Sequence, residues 1–335
     1  MHSAANNPGW KYSGAILCAA AALAPGAACA QEWKPARNVD IVVASGAGGS
    51  SDRSARVAQK LLATNPAFPS VSVTNRPGGG GTVAFAFMSQ HPGDPHYITT
   101  FSATMVTNYL LGVSKQHYSD FTPLSILLRE YPLVAVRSES PIAGGKDLLE
   151  RLRKDPTSVS FTFSSSPGNH NHVIIGMILK AAGADPKKAK VIVQKSGGEA
   201  ATAVLGGHID VFVGAPANLT PHIQSGKARA IGISAPQRQS GTLAGYPTLK
   251  EQGMDAVFFS WRGFVGPKGL AAPQIAFWDQ AFARAVKGEE WKKDVEQNAW
   301  VEDFMTSAAT SKHLDSEEAL LKGMLADLGV MPAKQ

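Results

Sequence analysis

Cysteine is nearly missing from this chain, with 2 among 335 residues, at Cys18 and Cys29. Two thiols build neither a disulfide framework nor a four-thiolate zinc site. Charge is sparse as well: 17% of residues are charged and 44% are hydrophobic, which excludes a disordered polyelectrolyte. No apolar run reaches the roughly 18–20 residues that a membrane-spanning helix needs. Aromatics make up 8% of the chain and interleave with no basic stripe, and the net charge of +6 is spread out; nothing here reads as a nucleic-acid surface. Catalytic signatures are missing too. There is no G-x-S-x-G, no H-E-x-x-H and no S-x-x-K in a suitable loop. No Gly-Lys-Ser/Thr follows any Gly-rich turn, so the phosphate-loop motif is absent. The run Gly46-Ala47-Gly48-Gly49-Ser50-Ser51 fails the dinucleotide fingerprint, which requires glycine where Ser51 stands.

Both cysteines fall in one unusual segment. Lys11 is its one charged residue, Ala15 to Ala24 is an apolar run, and Pro25-Gly26 precede the small residues Ala28-Cys29-Ala30. A basic start, a short apolar core and an A-x-A site describe a secretory signal peptide cleaved after Ala30. Gly26 stands where a lipoprotein signal needs a Leu-like residue. The exported chain then begins at Gln31, contains no cysteine and carries a net charge of +5. A cysteine-free exported protein suits a periplasm.

Beyond this segment, short β-branched runs alternate with longer amphipathic ones. Strands are expected at Val39 to Ala44, Val71 to Val73 and Tyr97 to Phe101, with helices from Asp52 to Ala63 and Thr82 to Ser89. Leu124 to Leu128 and Leu133 to Val136 read as two further strands, and Pro141 to Gly145 as a hinge or loop. A second α/β set runs from Val159 to Ser234, Phe258 to Val265 reads as a strand, and everything from Pro273 onward as helix. This β-loop-α rhythm predicts mostly parallel sheets flanked by helices. Two such sets in succession predict two lobes with a cleft between them.

Four loops leave strands and enter helices: Ser45 to Asp52, Asn75 to Thr82, Ser102 to Thr104 and Ser164 to His172. In open α/β sheets ligands sit where such loops converge. Each helix start offers free N–H groups and about half a positive charge. Several starts facing one cleft make an anion site without any Arg or Lys. Asp52 also fits as a first-turn carboxylate complementing the helix dipole. His170 and His172 lie two apart at a helix start and point about 200° apart, which makes them poor joint metal ligands. One of them is expected to line the cleft and the other to pack or cap.

At these residues the chain resembles the substrate-binding receptors of tripartite tricarboxylate transporters, also called the Bug family. The resemblance rests on Gly48 to Asp52 with Ala55-Arg56, Asn75-Arg76-Pro77 with Gly78 to Gly81, and Asp120 to Pro123. It continues through Ser164 to His172, Gly207 to Asp210 and Trp261-Arg262-Gly263. It implies a periplasmic-binding-protein type II (Venus flytrap) fold: a signal peptide over 1–30, lobe I over 31–135 plus 252–335, and lobe II over 136–251. It implies a receptor that is not an enzyme and has no catalytic residue, cofactor or metal. The expected ligand is a small organic mono- or dicarboxylate, aromatic acids included. The expected partners are membrane transporter subunits, with the receptor itself a monomer. By position, Ser45, Ala47, Gly48, Ser50, Asp52, Gly80, Gly81 and Thr82 would hold the ligand from one lobe. Ser165, Ser166, Asn169 and His170 would approach from the other, and Ser102, Thr104, Gly214 and Ala215 would line the sides. A ligand sensor would use the same fold, and an exported hydrolase is the competing class. The chain departs from the family pattern at Ser45-Gly46-Ala47, at Asp94-Pro95-His96 and at Pro167 and His170.

Overall fold

The structure is a computed structural model that describes residues 32–327 and 329–331. The expected signal peptide lies outside the described residues. The first lobe begins with β1 (Val39–Val43), α1 (Ser50–Ala63), β2 (Val71–Asn75), α2 (Thr82–Ser89), β3 (Tyr97–Phe101), α3 (Ala103–Leu110) and β4 (Phe121–Glu130). The chain then crosses over. The second lobe holds β5 (Leu133–Arg137), α4 (Gly145–Lys154), β6 (Ser160–Ser164), α5 (His170–Ala181), β7 (Lys190–Gln194), α6 (Gly197–Leu205), β8 (Val211–Gly214), α7 (Thr220–Gln224) and β9 (Ala228–Ile233). The return to the first lobe supplies β10 (Ser260–Pro267), α8 (Ala272–Ala285), α9 (Glu289–Gln297), β11 (Val301–Met305) and α10 (Ser307–Asp327).

The first sheet has six strands in the order β11-β4-β10-β3-β1-β2, and the second has five in the order β7-β6-β8-β5-β9. Two sheets flanked by helices are what the alternating pattern predicts, but both are mixed rather than mostly parallel. Parallel pairing is confined to β1 with β2 and β3, and to β6 with β7 and β8. The strands next to the crossings run the other way: β10 is antiparallel to β3 and β4, and β5 to β8 and β9. A strand arriving from the other lobe is free of the handedness that a helical crossover imposes on parallel neighbours. The sheets change at Tyr131-Pro132, so Leu133 to Ala135, assigned from sequence to lobe I, pair in the second sheet.

One helix and one strand lie outside the sequence reading. The Gly144-Gly145 pair opens α4 instead of a hinge, and Leu148, Leu149 and Leu152 bury its apolar face. A Cβ at Gly145 would lie 2.5 Å from the Gln252 side chain, so glycine there permits close packing. The α3 helix follows directly on β3. The segment Val301–Met305, expected as helix, is an edge strand instead. Its Asp303 bridges Arg129 of β4 at 2.7 Å, and its Glu302 accepts from Trp291 Nε1 at 2.8 Å. The strand it pairs with, β4, lies far away in sequence, so the local pattern of Val301–Met305 does not reveal the pairing.

The central strands are apolar because helices cover both faces. Ile41, Val42 and Val43 are fully buried, as are Phe161, Phe163 and Phe212. Trp261, Trp278 and Trp291 fill the space between sheet and helices in the first lobe. No helix among the described residues is long and apolar enough to cross a membrane.

Candidate functional site

The carboxyl ends of the strands in both lobes open on one cavity of about 70 Å³. A single bound water occupies roughly 10–15 Å³ on such a measure, so the space fits a ligand of several heavy atoms and no polymer. Four helix N-termini reach it: Gly49 to Ser51 of α1, Ser102 and Thr104 of α3, His170 and Asn171 of α5, and Ser196-Gly197 of α6. Each contributes unpaired N–H groups and positive dipole ends.

The first loop supplies Ser45 and Ser50 to the cavity, but Ala47, Gly48 and Asp52 do not line it. Asp52 turns inward and ties the loops together. It accepts from the Gly48 N–H at 2.9 Å, from Arg56 Nε at 3.0 Å and from Asn75 Nδ2 at 2.9 Å. Burial alone would raise its pKa, yet those donors hold its carboxyl below the usual value. Asp52 therefore orders the two loops, and the dipole reading of a first-turn carboxylate accounts for its place.

In the second loop, Gly78 to Gly81 all have positive φ, which only glycine adopts without penalty. Gly80 lines the cavity, whereas Gly81 and Thr82 lie behind it. A Cβ on Gly80 would lie 2.5 Å from Asn108 Nδ2 and 2.8 Å from Ser166 Oγ. The third loop places Ser102, which caps α3 by accepting from the Thr104 N–H, with both residues in the lining.

From the second lobe come Ser165, His170, Gly214 and Ala215. Ser165 holds φ at 94° without being glycine, a strained conformation of the kind found at binding sites. Asn169 and Ser166 sit outside the lining. Asn169 is the α5 cap, accepting from Asn171 and His172 N–H groups and donating to Ser164 O at 2.7 Å. Ser166 donates to Asn108 Oδ1 of the first lobe at 2.8 Å. A second bond between lobes runs from Arg53 Nη1 to Asn218 Oδ1 at 3.1 Å. The two lobes are therefore apposed across the cleft. The two histidines divide as expected: His170 lines the cavity, while His172 accepts from the Gly168 N–H at 2.9 Å and stacks on Phe163.

Arg262, Lys195, Ser196 and Asn218 also line the cavity, although sequence reasoning gave them no role. Arg262 lies in the Trp261-Arg262-Gly263 segment that carries part of the family resemblance, yet its direction depends on β10 register. It is 7% exposed. Its Nη1 donates to Ser260 Oγ and Trp261 O, and its Nη2 lies 3.6 Å from Glu130 Oε2. The anion site thus contains a guanidinium, contrary to the expectation of backbone dipoles and hydroxyls alone. Burial, and then the Arg262 charge, push the His170 imidazole well below its ordinary pKa. His170 is neutral at pH 7. Among the described residues, no group of three or more His, Cys, Asp or Glu side chains could hold a metal ion.

A small space ringed by helix N-termini, hydroxyls and one buried guanidinium has the chemistry that suits an anion. Comparison with known proteins places this geometry in a family. The tripartite tricarboxylate transporter family receptor profile matches residues 54–328. A Cupriavidus necator protein, "UPF0065 protein in gbd 5'region", is 26% identical over 331 residues, covering 96% of each chain. The fold superposes on the periplasmic binding protein BugD with a TM-score of 0.80 at 22% identity, covering 89% of this chain and 99% of that one. It superposes on R. palustris Rpa4515 with adipate at a TM-score of 0.82 and 19% identity, with the same coverage. With most of its length matched by the family profile, this chain belongs to the tripartite tricarboxylate transporter receptor family.

Proposed function

We propose that this protein is a periplasmic receptor that captures a small organic carboxylate between its lobes and delivers it to a tripartite tricarboxylate-type membrane transporter. The observation that carries the reading is the convergence of four helix N-termini and Arg262 on one cavity bridged by both lobes. The similarity in fold to a protein holding adipate supports it. Ser45, Ser50, Gly80, Ser102 and Thr104 hold the ligand from the first lobe, and Ser165, His170, Gly214 and Ala215 from the second. Residues 31–130 with the segment from 260 onward act as one lobe, and residues 133–233 as the other. The chain is exported, cleaved after Ala30 and works as a monomer without cofactor or catalysis.

Each charge-assisted hydrogen bond contributes roughly 1.5–3 kcal/mol net, so four or five support micromolar affinity, about 8 kcal/mol. Isothermal titration and thermal shift against mono- and dicarboxylates of three to eight carbons test this. Saturable binding with a raised melting temperature is expected. No response to any acid at millimolar concentration would sink the reading. Intact-mass measurement of the exported protein should give a chain starting at Gln31.

A further inference from the structure

We propose that Arg262 is the residue that sets ligand charge, selecting acids that bring a second carboxylate to the cleft; this rests on the receptor reading above. The helix N-termini are neutral groups whose partial charges suit one carboxylate. Arg262 adds a full charge to the same cavity wall, and its Nε is buried without a hydrogen-bond partner. Nearby, His170 Nδ1 and Asn171 Oδ1 are also buried and unpartnered, on residues 5% exposed that line the same cavity.

The charges around Arg262 do not balance. Glu130 is the carboxylate beside it, at 3.6 Å, too far for a hydrogen bond. The Glu130 oxygens are instead engaged by Ser50 Oγ at 3.0 Å and Trp300 Nε1 at 3.2 Å. Arg53 brings a second guanidinium. It donates to Gly48 O and Asn218 Oδ1, leaves Nε and Nη2 unpartnered, and pairs with no carboxylate among the described residues. Its charge opposes that of Arg262, which is already pushed down by burial. Two guanidiniums, Arg262 and the half-buried Arg53, thus share one internal carboxylate, Glu130. Leaving a buried charge uncompensated is costly, and a ligand carboxylate on Arg262 removes that cost. Neutral His170 adds an N–H donor on one ring nitrogen and an acceptor on the other. A ligand with a single acid group satisfies the helix N-termini and leaves the Arg262 wall bare.

The test compares straight-chain diacids of three to six carbons with their monoamides, at pH 7.5, by titration calorimetry on the mature chain. A monoamide keeps the shape but loses one charge and exchanges one acceptor oxygen for an N–H donor. The wild type should favour at least one diacid over its monoamide by roughly 10–100-fold, the span of one charge-assisted bond. In Arg262→Gln that ratio should fall to near one. Glu130→Gln/Arg262→Gln removes both buried charges and should give the same ratio even if the single variant melts early. A ratio near one in the wild type, or one kept in both variants, overturns the inference while leaving the receptor reading intact. Failure to bind any acid overturns the receptor reading and this inference with it.

Discussion

His170 shows how one side chain registers its surroundings. Burial and the Arg262 charge keep it neutral in the folded protein, whereas the unfolded chain protonates it near pH 6.5. The unfolded state then binds more protons at acidic pH, so stability falls as pH drops below about 6.5. His170→Asn should flatten this slope in melting temperatures measured from pH 5 to 7.5. Some slope will persist, because burial depresses His172 in the same direction. A ligand carboxylate on Arg262 would relieve only the smaller, Coulombic cause of that shift, since burial is the larger one. Asp52 works in the opposite sense. Its carboxyl is held below the usual value, so its contribution is present at neutral pH and disappears as pH falls below about 4. Asp52→Asn should cost about 1–3 kcal/mol in denaturant unfolding, through loss of the ties from Gly48, Arg56 and Asn75.

Among the elements, the loop before α2 couples folding to closure most tightly. Gly80 has φ +64, and a Cβ there would overlap Asn108 and Ser166 of the facing lobe. Gly80→Val should prop the lobes apart. Ligand binding should disappear at the cost of about 1–3 kcal/mol of backbone strain, and small-angle scattering should show no compaction on adding ligand. Normal affinity in this variant would mean that the loop is not at the seam. Such loops were legible in the sequence, because Gly-rich runs between β-branched and amphipathic segments mark strand-to-helix turns. The strand Val301–Met305 was not legible. Its identity depends on Arg129 and on the β4 edge, both remote in sequence. The α4 helix hid behind Gly144-Gly145, which local propensity reads as a break.

Across the cleft, the described residues place Ser166 on Asn108 and Arg53 on Asn218. Asn218→Ala should lower ligand affinity roughly tenfold to a hundredfold, the worth of one hydrogen bond to a charged donor. Its ligand-free melting temperature should stay within about 1–2 °C, because the bond forms only when the lobes meet. An affinity equal to wild type would show that closure does not use this contact. Scattering with and without ligand should show the larger compaction in the wild type.

The sequence by itself determined the α/β alternation, the four strand-to-helix loops that meet the cavity and the two-lobed architecture. Those follow from local periodicity and glycine placement. Which residues on the loops face the cavity was decided by tertiary structure. Ser45 and Gly80 line the cavity, while Ala47, Gly48 and Gly81 do not, because the turns and positive-φ glycines of these loops set the direction of each residue. Arg262 and Asn218 reached the cleft only through the folded topology. Arg262 arrives on β10 after the chain has built the whole second lobe. Its charge matters because packing buries it with Glu130 at 3.6 Å as its ion-pair partner. Electrostatics in a closed site depends on burial and distance, and both exist only once the chain has folded.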